Sequence, residues 1–106
     1  MVGGIVRMKL YEIRDEQARV VAFEVDSFLF SRRRVARIVE TIDGARVNFT
    51  PKWFSWPQAV LCKFEIGGRS FRVEEPFGDN SRFWVGGDPP GWHQTFSRVV
   101  TAFEQA

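Results

Sequence analysis

At 106 residues, with 44% hydrophobic and 26% charged residues, the chain has the size and composition of one globular domain; neither a disordered tail nor a fibrous repeat fits it. The net charge of +2 is divided unevenly: residues 1–53 carry ten Lys/Arg and seven Asp/Glu, residues 54–106 five and six. So small an excess permits an anionic partner without requiring one.

In chain order, residues 1–7 read as a flexible lead-in. From Ile5 to Ile13 the pattern is ambiguous, because Val6, Met8 and Leu10 alternate as in a strand until Glu12 interrupts them. Asp15-Glu16-Gln17 reads as a turn. Val20–Asp26 is a half-buried strand, with Val21, Phe23 and Val25 on one side and Ala22, Glu24 and Asp26 on the other. A helix follows, starting at Ser27 or Ser31, either of which suits an N-cap. Phe28, Val35, Ile38, Val39 and Ile42 recur at helical spacing, and Asp43-Gly44 ends the run.

Ala45–Thr50 alternates again and leads into Pro51-Lys52-Trp53-Phe54-Ser55-Trp56-Pro57, an aromatic loop bracketed by prolines. Val60, Cys62, Phe64 and Ile66 then alternate up to Gly67-Gly68, and Phe71 and Val73 alternate away. Two glycines between such runs suit a two-residue type I′ hairpin. This turn sets Ile66 opposite Arg69, Phe64 opposite Phe71 and Cys62 opposite Val73, and extends to Glu75 opposite Val60. The other face then pairs Glu65 with Arg72 and Lys63 with Glu74 diagonally. After a turn at Pro76–Asn80, Ser81–Gly86 forms a last strand with Phe83 and Val85 on one side, Arg82 and Trp84 on the other. Gly87-Asp88-Pro89-Pro90-Gly91 breaks it. A final helix starts at Pro90 or Trp92 and runs to Gln105, its apolar stripe formed by Trp92, Phe96, Val99, Val100 and Phe103.

One apolar face per strand and one apolar stripe per helix predict a single α+β domain over residues 1–106. It is a two-layer sandwich: a mainly antiparallel sheet of about five strands, with two helices on one face, ordered β-α-β-β-β-β-α after the ambiguous N-terminal segment. Eleven Phe, four Trp and one Tyr mostly fill the core of such a domain.

Little in the chain points to chemistry. The single cysteine excludes an intrachain disulfide and suits a reducing compartment. Arg7, Lys9 and Arg14 interrupt any signal peptide, and no apolar run approaches the ~20 residues of a membrane helix. A cytoplasmic protein with no membrane partner is expected. Cys62 falls on the apolar hairpin face and reads as an inert core thiol. His93, the only histidine, stands at the expected start of the last helix, where a surface role is simplest. Glu75 and Asp79 are the carboxylates most suited to a pocket, but neither has a visible partner. The Gly3-Gly4, Gly67-Gly68 and Gly86-Gly87 pairs form no phosphate-binding motif, and turns account for them. No catalytic residue, metal site or cofactor is expected.

The locally anomalous segment is Arg32-Arg33-Arg34-Val35-Ala36-Arg37. Arginines near a helix start oppose the macrodipole, while Arg33 and Arg37 share an outward face with Glu40 one turn on. A solvated face with an Arg37–Glu40 pair accounts for it; so does a binding surface. Two functions follow as expectations. The first is a non-catalytic interaction module that binds a protein partner or forms a homodimer, through Trp53, Trp56 and the outer sheet face with Trp84. The second is nucleic-acid binding, through Arg33 and Arg37 on the helix and Arg82 and Trp84 on the open sheet.

Overall fold

The computed structural model describes residues 9–26, 32–49, 60–74 and 82–106. The elements are β1 (Tyr11–Arg14), β2 (Val20–Asp26), α1 (Arg32–Thr41), β3 (Arg46–Phe49), β4 (Val60–Ile66), β5 (Arg69–Glu74), β6 (Arg82–Gly87) and α2 (Phe96–Glu104). All strand pairings are antiparallel, in the order β1-β2-β6-β5-β4-β3. After the β1–β2 hairpin the chain passes through α1 and enters the sheet at its far edge as β3. It then returns strand by strand until β6 closes against β2.

Side-chain alternation puts the apolar residues of this sheet on one face, and both helices cover that face. Phe23, Val25, Cys62, Phe64, Phe71, Val73, Phe83 and Val85 meet Val35, Ile38 and Val39 of α1, Ile42 just after it, and Phe96, Val99 and Phe103 of α2, all of them buried. Rings organise the middle of this core. Phe23 lies 5.6 Å from Phe96 and 5.1 Å from Phe103, and Phe71 lies 5.4 Å from Phe64 and 5.7 Å from Phe96, between ring centroids. Each such contact adds about 0.5–1.5 kcal/mol beyond the area it buries.

The Gly67-Gly68 hairpin has the expected register, with Ile66 opposite Arg69, Phe64 opposite Phe71 and Cys62 opposite Val73. Its turn residues take φ of +57° and +82°, the left-handed values that a type I′ turn needs at both positions. The register then departs from expectation. An irregularity between Val60 and Cys62 pairs Val60 with Glu74, not Glu75. A bulge shifts every later residue by one position, which a strict two-residue alternation does not anticipate.

Other boundaries also differ. Among the described residues the sheet has six strands, not about five, because the ambiguous N-terminal segment runs into β1. As an edge strand it leaves Glu12, Ile13 and Arg14 exposed, so it carries no apolar alternation to detect. The last helix starts at Phe96, not at Pro90 or Trp92. A turn precedes it, in which Phe96 N–H donates to the His93 carbonyl, and Trp92 stays 45% exposed, outside the buried stripe. Gly86 and Gly87 lie within β6 and do not form a turn. Residues 1–7, the caps at Ser27 and Ser31, Phe28, the Trp53–Trp56 loop, Glu75 and Asp79 lie outside the described residues.

Candidate functional site

The sheet's outer face carries two of the expected binding residues, Arg82 and Trp84. Cross-strand pairing aligns Tyr11, Glu24, Trp84 and Glu74 in one row, and Ile13, Ala22, Gly86, Arg72 and Lys63 in the next. The Trp84 ring lies across Gly86. A Cβ on Gly86 would stand 2.5 Å from Trp84 Cη2 and 3.0 Å from the Ala22 Cβ, so the site admits only glycine without displacing the indole. Trp84 is therefore half-buried against its own sheet, and the Arg72 guanidinium sits 5.7 Å from its ring centroid.

The cations around it are engaged. Arg82 Nη1 donates to Glu24 Oε1 at 3.2 Å, Arg82 Nε lies 3.8 Å from Asp26 Oδ1, and the guanidinium stacks 3.6 Å from the Tyr11 ring centroid. Tyr11 in turn donates its hydroxyl to Asp26 at 3.3 Å. The expected diagonal pairs Glu65–Arg72 and Lys63–Glu74 are replaced. Arg72 Nε lies 2.6 Å from Glu74 Oε2 on its own strand, a charge contact without hydrogen-bond alignment. Asp88 lies 3.7 Å from Lys63 and 3.9 Å from Arg72. Asp88 reaches them because its N–H bonds the Ser70 carbonyl, which extends the β5–β6 ladder beyond β6 and supplies a carboxylate from outside the hairpin.

The helix layer is arranged differently. Between α1 and α2 runs a groove with a volume of about 860 Å³. Arg33, Arg34, Arg37 and Thr41 line it from α1, and Arg98 and Thr101 of α2 with Gln105 just beyond it from the other side, while Ile38, Ile42 and Ala102 form its floor. On each helix these residues recur three or four apart, so each element presents one stripe to the groove. Ile38 and Ile42 also reach the core, which fixes how α1 is rotated and hence where its arginines stand. Arg98 extends toward Gly44, so the start of α2 lies beside the end of α1.

Among the described residues, Arg33, Arg34, Arg37 and Arg98 line this groove, and Asp43 is the one acidic side chain there. Arg33, Arg37 and Arg98 are exposed, and none forms an ion pair within 4.0 Å among the described residues. The expected Arg37–Glu40 pair is absent as well. In the described helix the first turn contains Arg32, Arg33 and Arg34 with no acidic residue to oppose them. Arg33, Arg37 and Arg98 thus present their guanidinium donors to solvent.

Of the expected site residues, Arg33 and Arg37 thus share one surface, Arg82 and Trp84 share the opposite one, and Trp53 and Trp56 lie outside the described residues. Arg98 was missed by sequence reasoning. Its outward position on α2 is legible from helical spacing, but its approach to α1 depends on how the two helices settle on the sheet.

The remaining candidates sit apart from the groove. His93 lies ahead of α2, with Nδ1 2.8 Å from Thr95 Oγ1 and 3.2 Å from the donating Thr95 N–H. Trp92 stacks with Arg19, whose guanidinium is 4.7 Å from the ring centroid. Cys62 is fully buried, and burial, followed by the charge of Glu40, pushes its thiol up to about 12. It is neutral and inert at physiological pH. Among the described residues no three His, Cys, Asp or Glu side chains gather as a metal site, and no helix is long and apolar enough to cross a membrane. Comparison with family models, with curated proteins and with solved structures returned no match.

Proposed function

We propose that this protein is a small interaction module that binds negatively charged protein partners through the groove between α1 and α2. What supports the reading is the set of unneutralised guanidinium groups of Arg33, Arg37 and Arg98 around an apolar floor. A fold normally offsets like charges held close together. Leaving them open costs stability and favours an anionic ligand that supplies the missing carboxylates. Arginine also suits such a role because its planar fork binds carboxylates in pairs.

Nucleic-acid binding has less support. A single strand needs exposed rings for stacking, and among the described residues no aromatic side chain lines the groove. On the sheet, Trp84 is packed against Gly86, while Arg72, Arg82 and Lys63 already face carboxylates.

Site-specific crosslinking tests the proposal. Cys62 is buried, so a benzophenone maleimide attaches selectively at Thr101→Cys in the groove or at Glu65→Cys on the outer sheet face. In native lysate, adducts on acidic protein segments are expected from the groove position. They are expected to disappear when Arg33→Glu and Arg37→Glu are added. Equal adducts from both positions, or adducts to nucleic acid instead of protein, overturn the proposal.

A further inference from the structure

We infer that the occupant of this groove is an acidic amphipathic helix contributed by the partner. This deepens the binding function proposed above and rests on it.

Shape comes first. The walls are two helices, each offering residues three or four positions apart, and the floor between them is formed by Ile38, Ile42 and Ala102. Ridges of this spacing receive the ridges of another helix, so a third helix lies in the groove as it would in a helical layer. Its apolar side chains at i, i+3, i+4 and i+7 reach the floor, the usual anchoring pattern of a helix seated in a groove. An extended strand gains no such match. Its main-chain groups need a sheet edge to pair with, and the helices bordering the groove have already committed theirs internally.

Charge then selects among helices. Arg33 and Arg37 stand on the α1 rim and Arg98 on the α2 rim, each exposed. A helix with leucine-sized residues on one stripe and Asp or Glu on the two flanking stripes places a carboxylate row against each rim. A neutral amphipathic helix leaves the guanidinium groups partly desolvated and unpaired, and a basic one is repelled. Asp43 faces the same groove near the end of α1, so the carboxylates are best placed toward the Arg33–Arg37 end.

The test uses the full chain and a fluorescein-labelled peptide of about 15 residues, long enough to be helix-competent. Leucines occupy i, i+3, i+4 and i+7 positions, and glutamates flank them. A scrambled peptide of identical composition lacks the helical stripe, and a single-stranded oligonucleotide of matched charge gives the polyanion comparison. Fluorescence anisotropy is expected to show the amphipathic peptide binding at least about tenfold tighter than the scrambled one, with affinity falling as salt rises. The peptide is expected to gain helical circular dichroism on binding. Arg33→Glu with Arg37→Glu, both at exposed positions, is expected to weaken it at least about tenfold while the protein's own spectrum stays unchanged.

Equal binding of the two peptides overturns the helical occupant and leaves the acidic partner standing. Binding of neither, or binding insensitive to the arginine substitutions, overturns both. Tighter binding of the oligonucleotide replaces both with a nucleic-acid ligand.

Discussion

The sheet's outer face and the helix layer both present arginines, but the two surfaces treat them in opposite ways. On the sheet, Arg72 lies 2.6 Å from a Glu74 oxygen and Arg82 lies 3.2 Å from a Glu24 oxygen, and both guanidinium groups stand over rings. Around the groove, Arg33, Arg37 and Arg98 have neither a carboxylate nor a ring among the described residues. The same side chain thus contributes to the fold on one surface and is free for a ligand on the other. What separates them is geometry. Antiparallel pairing sets Glu24 beside Arg82 and strand alternation sets Glu74 beside Arg72, whereas Arg33 and Arg37 stand on a helix with no acidic residue in its first described turn.

This contrast is most exposed to failure at Gly86. Gly86→Val drives a side chain into the Trp84 ring and is expected to cost about 1–3 kcal/mol, read as a lower urea midpoint, while groove binding by the remaining folded protein is retained. A variant as stable as the parent would show that Trp84 is free to lie elsewhere, and the sheet would regain its claim as a ligand surface.

A smaller loss is expected from Arg82→Ala. The stacking on Tyr11 and the half-exposed pairs with Glu24 and Asp26 together contribute about 1 kcal/mol. The matching change on the other surface, Arg37→Ala, is expected to move stability by no more than about 0.5 kcal/mol. Equal losses in chemical denaturation would erase the distinction between the two surfaces.

Arg33→Glu sharpens it further, because here stability and binding are expected to move in opposite directions. A carboxylate in the first described turn of α1 complements the macrodipole and raises stability by about 0.3–1 kcal/mol. The same charge is expected to repel an acidic peptide. A variant that both destabilises the fold and preserves binding contradicts the assignment of this arginine.

The smallest effect is expected at the β1–β2 turn, where pairing is local. The Arg19 N–H, donating at 2.9 Å, holds the Asp15 carboxyl below its usual range; burial opposes this, while the Arg19 side chain and the Gln17 N–H reinforce it. With the folded value depressed, the stabilisation is present above the unfolded carboxylate range and is lost as pH falls through the folded value. Thermal midpoints of the parent and Asp15→Asn are therefore expected to differ at neutral pH and to converge in acid.

Much of the architecture was legible in the residues because it depends on short-range periodicity. The Gly67-Gly68 turn set the β4–β5 register up to Cys62–Val73, and alternation in Val20–Asp26 and around Phe83 and Val85 identified the buried face. Periodicity failed where burial was partial or the local pairing irregular. Strand β1 is largely exposed, the irregularity after Val60 pairs that residue with Glu74, and Trp92 mimics a helical stripe it does not join. The candidate site was half legible. Arg33 stood out because it breaks a helix-end rule and Arg37 because it shares that outward face, while nothing near Arg98 in the chain hints that it lines the same groove.

By itself, then, the sequence determined the α+β class, the apolar faces and the central hairpin, since each follows from neighbours a few residues apart. The tertiary structure alone decided that β6 closes against β2, that Trp84 folds over Gly86, and that Asp88 engages Lys63 and Arg72. It also brought the arginines of α1 and α2 around one groove. Each of these joins residues distant in the chain, and their meeting is fixed by how the two layers pack and not by any local propensity.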